Sequence, residues 1–459
     1  MKNLFKSIAL LLVFTFVLCS CQNSSPEIIP EYSTSSSDKD FDGLKINWGI
    51  EGTDDKKLGY ISSTVFADMA AQRVKDVETS LNCEINLILE SSGWDVNSKL
   101  SASIMSGSQV YDLVRCGSYN LAPNARAGHL IGLSGLLDVQ NTEKWGTRRM
   151  LQSMIWKDDV YAVLPYAWPD LLYTCFGHAV GVNENYIAQL GQTDPREYVE
   201  SDTWNWDKFE EVLAAYTFDV NGTTVYALSS HEPYLVQMMM LSNGCPMSVY
   251  EDGNVVMGAH TEAGKVALER ARSIFRETCS DYIHPDRGTD YSHIVKGDVV
   301  MGVAWSAEFF NSYVYEMDNL GVLPFPQGPN ATPGVYLTYH DSMPFSTGIT
   351  VNANDIEATA IILSELYEPF EGYETKEDII NYLSSQVFFD RRDAVLFLNM
   401  VENTEYGFFR EGARKVLDTA IGSNESITSI IESFESANEV LSQDILEPHY
   451  AGMIAVYGE

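Results

Sequence analysis

Between Lys45 and Arg115 the chain switches hydrophobic period four times, and this alternation limits its architecture more than any other feature. Lys45–Ile50 is a short apolar run and reads as a strand. Thr64–Leu81 carries Val65, Met69, Val74, Val77 and Leu81 at helical spacing, behind the capping candidates Ser62–Thr64. Glu84–Glu90 is a second strand. Asp95 is placed to cap a helix holding Leu100, Ile104 and Met105, which Gly107 ends, and Val110–Arg115 is a third strand. Strand, helix, strand, helix, strand predicts a parallel sheet with crossover helices. With 459 residues the chain exceeds a single core, since cores stop growing near ~250–300 residues.

The alternation continues downstream. Tyr161–Tyr166 reads as a strand, and Thr203 as the cap of a helix with Phe209, Val212, Leu213 and Tyr216 on one face. Asn221-Gly222 makes a turn into Thr224–Leu228, and Thr261 opens a helix with Leu268, Ala271 and Phe275 aligned. Gly297–Trp305 is a strongly apolar strand, Gly321–Phe325 a shorter one, and Pro344–Val351 is extended. Asn354 caps a further helix, and the remainder is mostly helical. No repeat of 20–50 residues is present.

The first twenty residues are a separate object. Lys2 and Lys6 precede an apolar stretch from Ile8 to Leu18 that is short for a bilayer span and suited to a signal peptide. Leu18-Cys19-Ser20-Cys21 resembles the lipobox of bacterial lipoproteins, which implies cleavage before Cys21 and lipidation of that cysteine. Gln22 to Asp40 is Ser-rich with one aromatic, Tyr32, and cannot bury enough apolar surface to fold. A tether of ~20 such residues reaches about 25 Å. The expected location is therefore the extracytoplasmic face of the cytoplasmic membrane, with the body held off it by the lipid anchor alone.

Lys+Arg is 29 against Asp+Glu 64, a net charge of −35 that makes phosphate backbones and anionic lipid surfaces poor partners and excludes a nucleic-acid role. Seven cysteines with no short pairing pattern argue against a disulfide framework and for thiols buried as small hydrophobes. No P-loop, GxGxxG, GxSxG or HExxH motif occurs. His284-Pro-Asp286, Asp290 and His293 share a polar loop but lack an i, i+4 histidine pair, so neither a metal nor a cofactor is expected.

The order of motifs resembles that of the extracellular solute-binding proteins of bacterial ABC importers, in the sugar-type family 1. Four stretches carry the resemblance. Lys99-Leu-Ser-Ala-Ser-Ile-Met-Ser-Gly-Ser-Gln-Val-Tyr-Asp112-Leu-Val is close to the family's "kl…asG…yDvv". Val160-Tyr-Ala-Val-Leu-Pro165-Tyr-Ala-Trp168 followed by Gly181-Val-Asn183 is similar to "y.vPy" and "lyyN". Asp202-Thr-Trp204-Asn-Trp206-Asp-Lys-Phe-Glu210 is similar to "P.TWdef", with Asp202 in place of the usual Pro. Lys296-Gly-Asp-Val-Val-Met301-Gly-Val-Ala-Trp305, Gly321-Val-Leu-Pro-Phe-Pro326 and Gly348-Ile-Thr-Val351 complete the set.

This resemblance implies a periplasmic-binding-protein-like α/β fold of type II, with two lobes, a hinge and a ligand cleft between them. The expected division is residues 1–20 signal peptide, 21–40 tether, 41–165 plus 327–365 first lobe, and 166–326 plus 366–459 second lobe with C-terminal helices. The implied protein is a monomeric binding lipoprotein that captures an oligosaccharide or other carbohydrate and delivers it to ABC permease subunits. A peptide or other polar solute is the alternative ligand. A cleft enzyme using Cys116 as nucleophile is the alternative from another class, although no base can be placed near that thiol.

Aromatic rings cover the C–H faces of sugars, and carboxylates or amides bind their hydroxyls. Ligands in such sheets sit at the carboxyl ends of strands. Trp48 and Glu51 end the first strand, and Trp94 starts the following helix. Cys116, Ser118 and Tyr119 end the third strand, in a loop that the resemblance brings to the ligand. Tyr166 and Trp168 follow the first expected crossing, and Trp305 and Glu308 end the long apolar strand. Tyr336 and Asp341 precede Pro344, and Phe409 opens a helix that in this family can offer an aromatic side chain to the cleft.

Overall fold

The structure, a computed structural model, describes residues 39–52, 58, 65–169, 177–251, 254–288, 290–305, 309, 313–340, 345–406, 419–420 and 422–458. The signal segment, Cys21 and the tether up to Asp38 lie outside the described residues. Among the described residues no helix is long and apolar enough to cross a membrane.

Strands β1 (Leu44–Glu51), β2 (Cys83–Glu90) and β3 (Leu113–Gly117) run parallel, linked by helices α1 (Val65–Leu81) and α2 (Gly93–Ser106). Helix α2 is capped by Ser92, whose Oγ accepts the Asp95 amide at 3.2 Å, three residues before the predicted cap. It ends as expected at Gly107, whose φ of 66° only glycine adopts readily. On β1, Ile46, Trp48 and Ile50 face one core, while Gly49 lies under the Tyr111 ring. A Cβ at Gly49 would approach that ring to 2.7 Å, so the close strand–ring packing requires glycine there.

The second sheet is mixed. β6 (His178–Asn183) lies between β11 (Val299–Trp305) and β12 (Leu320–Leu323), antiparallel to both. β8 (Thr223–Ser229) continues the sheet parallel to β11, and β7 (Phe218–Val220) closes it through the Asn221-Gly222 turn, both residues at positive φ. All of Val299 to Ala304 is buried, as an uninterrupted apolar strand covered on both faces must be. Each such large side chain contributes about 1.5–3 kcal/mol of burial. Two hairpins, β4 (Ile155–Trp156) with β5 (Asp159–Val160) and β9 (Ser248–Glu251) with β10 (Asn254–Met257), stand outside the two main sheets.

The chain passes between the sheets at identifiable points. Val163 and Thr347 exchange both backbone hydrogen bonds, at 3.0 and 2.9 Å. Thr347 belongs to β14 (Phe345–Ile349), which pairs antiparallel with β3 and completes the first sheet. Ahead of it, β13 (Thr338–His340) pairs with β15 (Thr404–Tyr406) and is held to the second sheet by the Thr338 hydroxyl, which donates to the His178 carbonyl at 2.7 Å. The predicted strand Tyr161–Tyr166 is thus only this single bridge, because the chain is leaving one sheet for the other.

Two expected boundaries move. Residues 327–331, assigned by sequence to the first lobe, bond to the second: Gln327 to Trp204, Gly328 to Ser242 and Asn330 to Asn243. Conversely, Tyr367 and Phe370, assigned to the second lobe, pack on Trp48, Phe66 and Trp168 beside the first sheet. The C-terminal helices reach different elements. Helix Arg391–Glu402 sends Asp393 to Arg196 and the Val322 amide, while helix Glu447–Tyr457 lays Gly452 against β4.

Candidate functional site

The carboxyl ends of β1 and β3 bring a carboxylate and an amide together. Glu51 closes β1 half-buried, and its Oε2 accepts the Gly117 amide at 3.4 Å. Gly117 ends β3, and the next residues form helix α3 (Ser118–Arg126). Two residues into α3, Asn120 is 1% exposed, and neither its Oδ1 nor its Nδ2 has a hydrogen-bond partner among the described residues. A Cβ at Gly93, at the start of α2, would overlap the Asn120 amide nitrogen and come within 2.7 Å of Glu51 Oε2. Glycine at position 93 therefore lets these two polar groups converge. Beside it Trp94 leaves 62% of its surface exposed. A carboxylate, an unspent amide and an open indole are the groups that a polyhydroxylated ligand needs.

A buried cation stands on the opposite face of β3. Arg115 is 1% exposed, and its Nε and Nη2 lack hydrogen-bond partners among the described residues. Its guanidinium lies 5.0 Å from the centroid of the Phe345 ring, the first residue of β14. The ring face supplies part of the stabilisation that a carboxylate would otherwise give. Arg115, Asn120 and Phe345 were not singled out by sequence. The detectable signal for Arg115 was a charge inside the apolar run Val110–Gly117.

The second sheet offers Trp305, half-buried at the carboxyl end of β11 and directly opposite His178 on β6. His178 packs against Tyr234 with ring centroids 4.3 Å apart, and Tyr234 against His231 at 4.8 Å. The His178 Nδ1–H donates to the Tyr339 carbonyl at 2.6 Å, tying this aromatic group to β13. This aromatic group around His178 was not expected from sequence, because its members come from separate segments that only the fold brings together.

Four of the sequence-predicted ligand residues are core in this structure. Trp48 is fully buried edge-on to Tyr367. Trp168 donates its indole N–H to the Glu368 carbonyl at 3.1 Å and stacks on Phe370 with centroids 4.8 Å apart, leaving no ring face for a ligand. Cys116 is buried with Val114 and Leu121, and burial pushes its thiol well above the ordinary range, with the Glu51 charge adding to the shift. A thiol held protonated and covered cannot serve as a nucleophile. Tyr336 is buried too; desolvation, helped by Asp202, pushes its hydroxyl up to about 12.

Tyr166 is half-buried and lines a cavity of about 260 Å³ with Glu143, Tyr373 and Leu398. Ser118 and Tyr119 open α3, but their side chains lie outside the described residues, as do Glu308, Asp341 and Phe409 altogether. Of the predicted set, the structure thus leaves Glu51 and Trp305 at strand ends, Trp94 at the start of α2 and Tyr166 on that cavity with surface to offer.

No protein-family model and no curated protein matches this sequence. Solved structures do. The GacH receptor of Streptomyces glaucescens GLA.O, determined unliganded and with acarbose, is 14% identical with a TM-score of 0.56, covering 88% of this chain and 99% of its own. A cyclo/maltodextrin-binding protein solved with maltotetraose is 12% identical with a TM-score of 0.62, covering 87% of this chain and 98% of its own. This chain has their two-lobed α/β fold. The likeness spans nearly the whole of both binding proteins.

Proposed function

We propose that this protein is the extracytoplasmic substrate-binding lipoprotein of an ABC importer, capturing an oligosaccharide or other carbohydrate and handing it to membrane permease subunits. The observation that carries this reading is a fold shared, along 87–88% of the chain, with proteins solved bound to maltotetraose and acarbose. The convergence of Glu51 and Asn120 over Gly93, with Trp94 exposed next to it in the chain, supports it, since those groups suit hydroxyls and sugar faces. The lobes close on their ligand about the crossings at Val163–Thr347 and β13, and differential affinity for the closed form drives the motion. The protein binds rather than catalyses: a covered, protonated Cys116 withdraws the one nucleophile that the sequence offered.

The test is calorimetric titration of the purified protein with a panel of neutral oligosaccharides, maltooligosaccharides included, and with peptides as controls. One saccharide series should bind with tryptophan fluorescence changing in parallel. Saturable binding of peptides with none of saccharides would replace the carbohydrate reading by the polar-solute one.

A further inference from the structure

At the edge of the second sheet remote from Trp305, where the chain enters β11, the loop before β11 gathers groups that the binding function does not use. His293 is 8% exposed, and its two ring nitrogens face different carboxylates. Nδ1 stands 3.1 Å from Asp298 Oδ2, while Nε2 stands 3.4 Å from Asp286 Oδ2 and 3.9 Å from Asp290 Oδ2. Each loop carboxylate spends its other oxygen on the loop itself. Asp286 Oδ1 accepts the Gly288 amide at 3.0 Å, and Asp290 Oδ1 the Ser292 amide at 3.0 Å. Both Oδ2 atoms are thereby turned toward the same imidazole nitrogen.

We propose that Asp286, Asp290 and His293 form a binding site for a divalent transition-metal ion of the zinc type, oriented by Asp298. The ligand atoms already lie within 4.8 Å of one another, which a small inward shift converts to coordination distances of about 2.0–2.2 Å. The Asp298 contact is the outer-shell carboxylate that metal-bound histidines ordinarily have: it takes the Nδ1 proton and leaves the Nε2 lone pair for the ion. His284 stacks over His293 with centroids 3.9 Å apart, but its Nδ1 accepts the Asp286 amide at 3.2 Å, so it packs against the site without ligating through that atom. Lys296 Nζ, 3.1 Å from Asp290 Oδ2 on a half-exposed side chain, is the resident cation that the metal displaces. A nitrogen donor selects against Ca²⁺, which takes oxygen ligands. The site is independent of the carbohydrate reading.

The experiment is titration of the chelator-stripped protein with Zn²⁺ by calorimetry, with Ca²⁺ as control. A single saturable Zn²⁺ should bind, Ca²⁺ should not compete, and thermal unfolding should rise with Zn²⁺. Asp286→Asn and Asp290→Asn, both at exposed positions, should weaken binding at least tenfold, and Asp298→Asn by about 10–100-fold. Lys296→Met should tighten it, an effect that a purely structural cluster would not produce. No stoichiometric Zn²⁺ binding would leave only a histidine–carboxylate ion pair and overturn the proposal. Undiminished binding in the two loop variants would overturn it as well.

Discussion

Arg196 and Asp393 meet 2.6 Å apart, a guanidinium from the helix Pro195–Glu200 and a fully buried carboxylate from the helix Arg391–Glu402. Asp393 also accepts the Val322 amide at 3.2 Å, so the pair fastens a C-terminal helix to the second sheet at β12. Burial pushes the Asp393 carboxyl up to about 6, and Arg196 and Arg392 pull it back. Arg196 has further partners in Asp194 and Glu184, while Asp393, wholly buried, has besides Arg196 only the longer Arg392 contact at 3.4 Å and the Val322 amide among the described residues. The two halves of the pair are therefore unequal. Arg196→Met should cost about 3–5 kcal/mol by leaving a buried charge poorly compensated, and Asp393→Asn distinctly less. Urea unfolding of both variants checks the order; equal losses would show that the pair shares its partners evenly.

His449 gives the protein an acid sensitivity with a defined window. It is 4% exposed between β4 and its own helix, and burial lowers its pKa from the ordinary 6.5 to about 4. The folded state therefore binds its proton less readily than the unfolded chain does. Stability from this residue is complete above pH 6.5, is lost as pH falls toward 4, and changes no further below that. The loss reaches about 3 kcal/mol at ~1.36 kcal/mol per pH unit. Melting temperatures of wild type and His449→Gln across this range should converge at low pH. Parallel curves would remove His449 as the source.

The ligand prediction separates the two sheets. Trp305→Ala and Glu51→Gln should each weaken saccharide binding, Trp305 by about 2–4 kcal/mol as an anchor ring and Glu51 by ~1.5–3 kcal/mol as a charged hydrogen-bond acceptor. Ligand-free stability should fall less than the ~3–5 kcal/mol of a core tryptophan. Trp48→Ala is the internal contrast, since Trp48 is wholly buried and its loss should show mainly in unfolding. Large destabilisation with unchanged affinity in Trp305→Ala would make Trp305 a packing residue.

If Cys21 carries the proposed lipid anchor, Cys21→Ala should release the protein from the membrane fraction. Intact-mass measurement of the native protein should show a diacylated N-terminus, and an unmodified one would end the lipoprotein proposal.

Elements whose pattern was one-sided or wholly apolar were legible in the sequence. Val299–Trp305 has no polar residue to misplace, and the helix behind Thr261 carries its cap where the sequence put it, while Ser92 and Asp355 cap their helices instead of the expected Asp95 and Asn354. The four buried thiols Cys83, Cys116, Cys245 and Cys279 also stand as their spacing suggested. The site was less legible because exposure is a tertiary property. Trp48 and Trp168 read in the sequence like ligand rings, yet Trp48 lies inside β1, and Tyr367 and Phe370, some two hundred or more residues later in the chain, cover the two rings. Asn120 is one asparagine among many until Gly93 and Glu51 are brought beside it.

Followed along the chain rather than in space, the reciprocal Val163–Thr347 pair turns everything between those residues into a detour. The chain leaves the first sheet, builds all five strands of the second, and re-enters opposite the residue from which it departed. Departure and return are about 5.5 Å apart at Cα, the spacing of any hydrogen-bonded antiparallel pair. A splice of a few residues would span that gap without altering the register of β14 on β3. The second sheet is thus, in construction, a cassette inserted into an α/β layer whose strand order closes without it.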